Sequence, residues 1–278
     1  LIYSTQKIEQ ISRKEQGDRC LSIIGYTSRM DILGIPGSIV AGLVTGFGIN
    51  WLADQLPDDH PILDLSCKSC GSPRTWLDYA WFRSCISCGK NRSVRSWVIQ
   101  LGIPILALIL ELLPNPRIPT ILSFCLLTYF ILVAVIDIEH RLILGPVTLV
   151  GIILGAGIGI YLHGVAITFL GGAAGGAVMY VLYQIGRLFS TWISRRKGLT
   201  EIEDALGFGD VYVAVIIGLV LGWPGITAGL FSAILIGGVV SGIWMLVMLF
   251  AKNYQPFLAL PYAPFLLLAA VVLLYRPS

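Results

Sequence analysis

Ala205-Leu-Gly-Phe-Gly-Asp-Val-Tyr212 decides how the chain is read, because it sets a carboxylate, Asp210, at the mouth of the apolar run Val211 to Leu221. Two glycines, Gly207 and Gly209, stand just ahead of that acid. A second acid, Asp137, closes another apolar run, Ile121 to Ile136. Among 16 acidic residues, these two are the ones best placed at the ends of hydrophobic spans.

Outward from that stretch the chain stays apolar. Of its 278 residues 56% are hydrophobic and 13% charged, with a mean hydropathy of +0.81, which excludes an ordinary soluble globular protein. About 20 apolar residues suffice to cross a bilayer, and eight such spans are expected near 34–56, 97–113, 118–137, 142–162, 165–189, 206–223, 225–250 and 256–275. Lipid offers no partner to backbone amides, and the alternation of barrel strands is absent, so the spans are helices. The expected fold is an all-α polytopic membrane protein of about eight transmembrane helices. It divides into a polar segment 1–33, first helices with a loop at 57–96 (34–113), and a six-helix unit at 114–278. Residues 1–33 lack an apolar core of their own and do not read as a cleavable signal peptide. A net charge of +3 gives no reason to expect nucleic acid among the partners.

Basic residues set the orientation. With the N-terminus outside, twelve of them, from Lys68 to Lys252, fall in inner loops, against Arg117 and Arg276 outside; the five of the N-terminal tail run against the rule. On this topology Asp137 ends an inward helix and Asp210 begins an outward one. Both carboxylates are then expected at the cytoplasmic edge.

The loop 57–96 holds Cys67-Lys-Ser-Cys70 and Cys85-Ile-Ser-Cys88, each followed by a glycine, Gly71 and Gly89. Two such pairs 14 residues apart suit a four-thiolate tetrahedral zinc site, the glycines relieving the turn after each pair. So short a loop has too little core to fold by burial alone, and a metal would supply the missing stability. Disulfides are the competing reading, which a reducing cytoplasmic loop disfavours. Four thiolates leave no open position, so the zinc is expected to be structural. Cys20 and Cys125 have no partner pattern.

Other features carry plainer readings. Glu111 lies near a proline-rich turn and reads as a headgroup-region acid, and His140 as a solvated residue at the membrane edge. Gly171-Gly-Ala-Ala-Gly-Gly176 superficially resembles a phosphate loop, but inside an apolar helix it marks close helix packing. The charged stretch 187–205 reads as a solvated hairpin. Pro261 and Pro264 are expected to break the last helix and open backbone space near the acids.

An ionisable group at membrane depth is a functional candidate. Two aspartates brought together share one proton, which peptide hydrolysis can use: one carboxylate takes a proton from water while the other polarises the carbonyl. The glycines before Asp210 would let a substrate backbone approach. The bland alternative makes each acid a helix cap or an interfacial residue. A proton-coupled transporter would also pair acids, but it calls for repeats and midplane sites that the chain lacks. A non-catalytic scaffold for pilus or type II secretion assembly is a third reading.

Asp137-Ile-Glu-His-Arg141, Gly207-Phe-Gly-Asp210, the cysteine quartet and Leu260-Pro-Tyr-Ala-Pro-Phe265 together resemble the bacterial type IV prepilin peptidases, membrane aspartic proteases of the Gly-x-Gly-Asp kind. Gly46 to Pro57, with Asn50 and Leu56-Pro57, resembles that family's first helix, so the likeness runs from about residue 34 to the end. The resemblance implies a multi-pass inner-membrane endopeptidase that cuts prepilin and pseudopilin leaders after a glycine at the cytoplasmic side. Asp137 and Asp210 would be its dyad, supported by Gly207, Gly209 and Pro261, with structural zinc on Cys67, Cys70, Cys85 and Cys88. Many members also methylate the new N-terminus with S-adenosylmethionine. The chain departs from their pattern at Arg95-Ser-Trp-Val-Ile-Gln-Leu101, where Gln100 replaces the glutamate associated with that step, and at Leu144-Gly145, which replace a Pro-Asp or Pro-Asn pair. Methyl transfer is left open by the first departure, and the peptidase expectation survives both.

Overall fold

The computed structural model describes residues 34–56, 67, 70–72, 84–197, 207–250 and 261–276. The N-terminal segment, most of the loop between the first two helices and the stretch 198–206 lie outside the described residues. Within them every regular element is helical. In chain order these are α1 (Gly34–Gln55), α2 (Val94–Leu112), α3 (Thr120–His140), α4 (Gly145–His163), α5 (Val165–Lys197), α6 (Phe208–Leu221), α7 (Gly225–Phe250) and α8 (Ala263–Leu274). Six are long and apolar enough to cross a membrane, while α6 and α8 are shorter, with 14 and 12 residues.

The shortest spans sit at the centre. Helix α6 packs against α4, α5, α7 and α8, and ten of its 14 residues are buried. Small residues permit this. A Cβ on Gly218 would stand 2.3 Å from the carbonyl oxygen of Gly171, and one on Gly175 would stand 2.6 Å from that of Ala214. On the other side, one on Gly159 would meet the Leu219 carbonyl at 2.0 Å. The run Gly171–Gly176 is therefore a packing seam, as expected, and the backbones of α5 and α6 touch along it. Large apolar side chains still face outward along the outer helices, where lipid replaces a protein core.

One feature differs from expectation. Helix α5 does not yield to a hairpin after residue 187; it continues to Lys197 and is 33 residues long. Charged residues suit a helix once it has left the apolar layer, so composition alone misplaced its end. The stretch 251–260, where the last span is expected to begin, lies outside the described residues; α8 starts at Ala263 with Pro264 in its first turn, a position where the missing amide costs nothing.

Helices α1 and α2 form a smaller unit against one side of α3. Ile49, Ile99 and Ile103 make its core, packed on Phe124, Ile131, Leu132 and Val135. Gly42 admits the backbone of Pro104, and Gln100 Nε2 donates to the carbonyl of Leu43 at 3.0 Å.

Candidate active site and four-cysteine module

The end of α3, the start of α6 and the start of α8 converge. Asp137 lies in the last turn of α3 and Asp210 in the first turn of α6, and each is only 6% exposed. They are near enough that the charge of Asp137 bears on Asp210. The backbone N–H of Ala263, the first residue of α8, donates to the Asp137 carboxylate. Asp137 Oδ2 is buried with no protein partner. The phenol of Tyr262 lies within reach of the Asp210 charge, so Pro261-Tyr262-Ala263 borders both acids. Of the features read from the sequence, Asp137, Asp210, Gly207, Gly209 and Pro261 thus belong to one locality.

Asp210 does act as a cap: the carboxylate accepts from the Gly207 backbone N–H, three residues earlier, at the N-cap of α6. Capping explains an acid at this position. It does not explain a buried acid facing a second buried acid, an arrangement that costs stability unless it serves something.

The two glycines differ. A Cβ on Gly209 would meet Ile143 at 2.8 Å, so this glycine lets the segment that follows α3 lie across the start of α6. A Cβ on Gly207 would lie 3.8 Å from Asp210 Oδ2, an ordinary contact. Only Gly207 is therefore left for the expected role of keeping the acid approachable. The chain after Asp137 turns at Arg141, whose φ of 52° is in the left-handed region, with its N–H returned to the Asp137 carbonyl. The Leu144-Gly145 departure falls at the start of α4 and leaves that turn intact.

The four cysteines also converge, their Sγ atoms all within 4.8 Å of one another. The two halves repeat one geometry. Gly71 N–H donates to the Cys67 carbonyl and Gly89 N–H to the Cys85 carbonyl, both at 2.8 Å, with φ of 68° and 67° at the glycines. Both glycines thus occupy the left-handed turn expected of them. Sγ separations of 3.8 Å (Cys67–Cys88) and 3.6 Å (Cys70–Cys85) fit the roughly 3.8 Å edge of a tetrahedron with metal–sulfur bonds of about 2.3 Å. Ser72 Oγ, 3.2 Å from Cys85 Sγ, together with the amides of Cys88 and Ser87, pulls the Cys85 thiol down to about 5, whereas burial and the neighbouring thiols push Cys88 up to about 11, so the clustered sulfurs hold their protons unequally. The set is suited to a metal such as zinc.

One group of side chains was not legible from local pattern. Asp54 at the end of α1, Arg92 and Arg95 at the start of α2, and Glu139 at the end of α3 are joined by ion pairs beside Asp137. The only available signal was that all four fall within a few residues of helix ends assigned to one face. His140 stays beside Glu139 at 3.8 Å, and Glu111 lies near Gly34 at the opposite end of the bundle, away from the acids.

Among the described residues, eight packed helices, six of them long and apolar enough to cross a membrane, carry a buried pair of carboxylates and a four-cysteine module, the build of a multi-pass helical membrane protein. The model of the type IV leader peptidase family matches residues 124–242, a stretch that includes both Asp137 and Asp210. Over that stretch the chain is similar to the type IV leader peptidases. No curated protein and no solved structure matches it.

Proposed function

We propose that the chain is a membrane aspartic endopeptidase that removes the leader of type IV prepilins or pseudopilins, cutting after a glycine at the cytoplasmic side of the bacterial inner membrane. The observation that carries this reading is the pair of buried carboxylates, Asp137 and Asp210, inside the family-matched stretch. The two hold one proton between them. The ionised carboxylate takes a proton from water as the oxygen adds to the scissile carbonyl carbon, and the protonated one donates its hydrogen bond to the carbonyl oxygen. The tetrahedral intermediate then collapses, the carbon–nitrogen bond breaks, and the amine leaves with a proton from the dyad. The first-turn amide of α8 steadies Asp137 throughout. Gly207 leaves the substrate backbone room at Asp210.

Cys67, Cys70, Cys85 and Cys88 would hold a structural Zn2+, which supplies folding stability to the loop and has no open position for chemistry. S-adenosylmethionine has no place in this reading. The Gln100 amide carries no charge, and by donating to the Leu43 carbonyl it straps α1 to α2, which a glutamate carboxylate could not do.

Co-expression with a prepilin, in a host that lacks such an enzyme, tests the reading. Wild type should remove the leader, and Asp137→Asn and Asp210→Asn should each lower the rate by about three orders of magnitude or more. Leader cleavage by both variants at the wild-type rate would sink the aspartic mechanism and favour a scaffold. The mass of the new N-terminus reads methylation in the same sample, and none is expected.

A further inference from the structure

Arg95, in the first turn of α2, stands between acids of two other helices. One arm of its guanidinium donates to Asp54 Oδ1 in the last turn of α1 at 2.5 Å, and the other donates to Glu139 Oε2 in the last turn of α3. Arg92 donates to the remaining oxygen of Asp54 at 2.9 Å. Arg92, Arg95 and Asp54 are well covered, at 6%, 16% and 16% exposed, while Glu139 lies at the rim with 33% of its side chain exposed. Exposed single ion pairs hold little, but a partly buried guanidinium with both arms engaged fixes geometry as well as charge. Glu139 lies two residues beyond Asp137 on the same final turn, and helix ends fray unless held from outside. Only three residues, 89–91, separate Cys88 from Arg92. The cysteine module is therefore joined by a short tether to the start of α2, which carries Arg95, with Arg92 two residues ahead of it.

We propose that Arg95 is a positioning residue that pins the last turn of α3, and with it Asp137, to the α1–α2 pair, and that the metal-bearing cysteine module keeps Arg95 in place. The catalytic half of this inference rests on Asp137 being one of the two acids of the peptidase; the pinning itself does not.

The test uses the full-length chain in lipid nanodiscs with a prepilin substrate. Arg95→Gln and Glu139→Gln should each lower kcat about ten- to a hundredfold with little change in KM, and the double variant should be no worse than the poorer single one. Hydrogen exchange over residues 133–142 should quicken in both variants. It should also quicken in wild type stripped of zinc, and return when zinc is added back. A purely electrostatic influence on Asp137 predicts something else. Removing an acid and removing a base would then shift the pH profile in opposite directions while the kcat plateau stays put, and that result overturns the proposal. So do additive losses, or unchanged exchange over 133–142. Glu139→Gln alters only the most exposed member of the network, so the test does not hang on Arg95→Gln folding. Should Asp137→Asn cleave like wild type, the peptidase role of that acid is gone, and faster exchange in Glu139→Gln would still establish the pinning.

Discussion

At the scale of single residues, Gly207 and Gly209 read alike in the sequence and behave differently in the fold. The missing Cβ at Gly209 is filled by Ile143, from the segment after α3. Gly209→Ala should therefore force that segment away at a cost of about 1–3 kcal/mol and loosen the approach of Asp137 to Asp210. A lower melting temperature together with a lower kcat would show it. Gly207→Ala meets no close neighbour at its Cβ and keeps an extended backbone, with φ of −72° and ψ of 139°, so its melting should change by less than about 1 kcal/mol. A raised KM in that otherwise stable variant is the expected sign that substrate passes Gly207. The pair of acids was legible because an aspartate bordering an apolar run is conspicuous on its own. Ile143 was not, because a contact between the segment after α3 and the start of α6 leaves no trace in either stretch.

At the scale of elements, the seam between α5 and α6 determines where Asp210 stands. Gly171 and Gly218 bring two backbones together at a spacing that any side chain would prevent. Gly218→Leu should destabilise the protein by at least about 2 kcal/mol, and Gly238→Leu on α7, where a Cβ meets nothing, should not. Thermal melts in detergent compare the two. Repeated small residues in an apolar run announce such a seam, and paired cysteines followed by glycine announce a knuckle, so both were legible. The end of α5 was hidden because charge marks departure from lipid and says nothing about whether the helix goes on. The network around Arg95 was hidden because its members come from three helices, and an arginine near a helix start looks the same whether or not an acid waits across the gap.

At the scale of the whole molecule, the bundle has two unlike ends. One gathers the acids, the cysteine module and the ion network; the other holds Glu111 beside Gly34, and Asn115 donating to the Leu274 carbonyl at 3.2 Å. The bias of basic residues in the sequence assigns the first end to the cytoplasm. A fluorescent reporter that matures only in the cytoplasm should therefore light up when inserted at Asn91 and stay dark when inserted after Pro116. The reverse pattern would invert the orientation and with it the side from which a leader could arrive.

The unequal lengths of the helices have one more consequence. Tyr183 of α5 packs on Phe208 at the start of α6, and Gly237 of α7 is level with Tyr262, yet α5 runs on to Lys197 and α7 to Phe250. Both rise about 20 Å past the acids, at 1.5 Å per residue. A polypeptide entering between them covers that height with about thirteen residues if it stays helical, but with only about six if it is drawn out. On the proposed peptidase reading, the bond that reaches the acids would then depend on how much of the incoming chain has unwound, as well as on the residues that flank the cut.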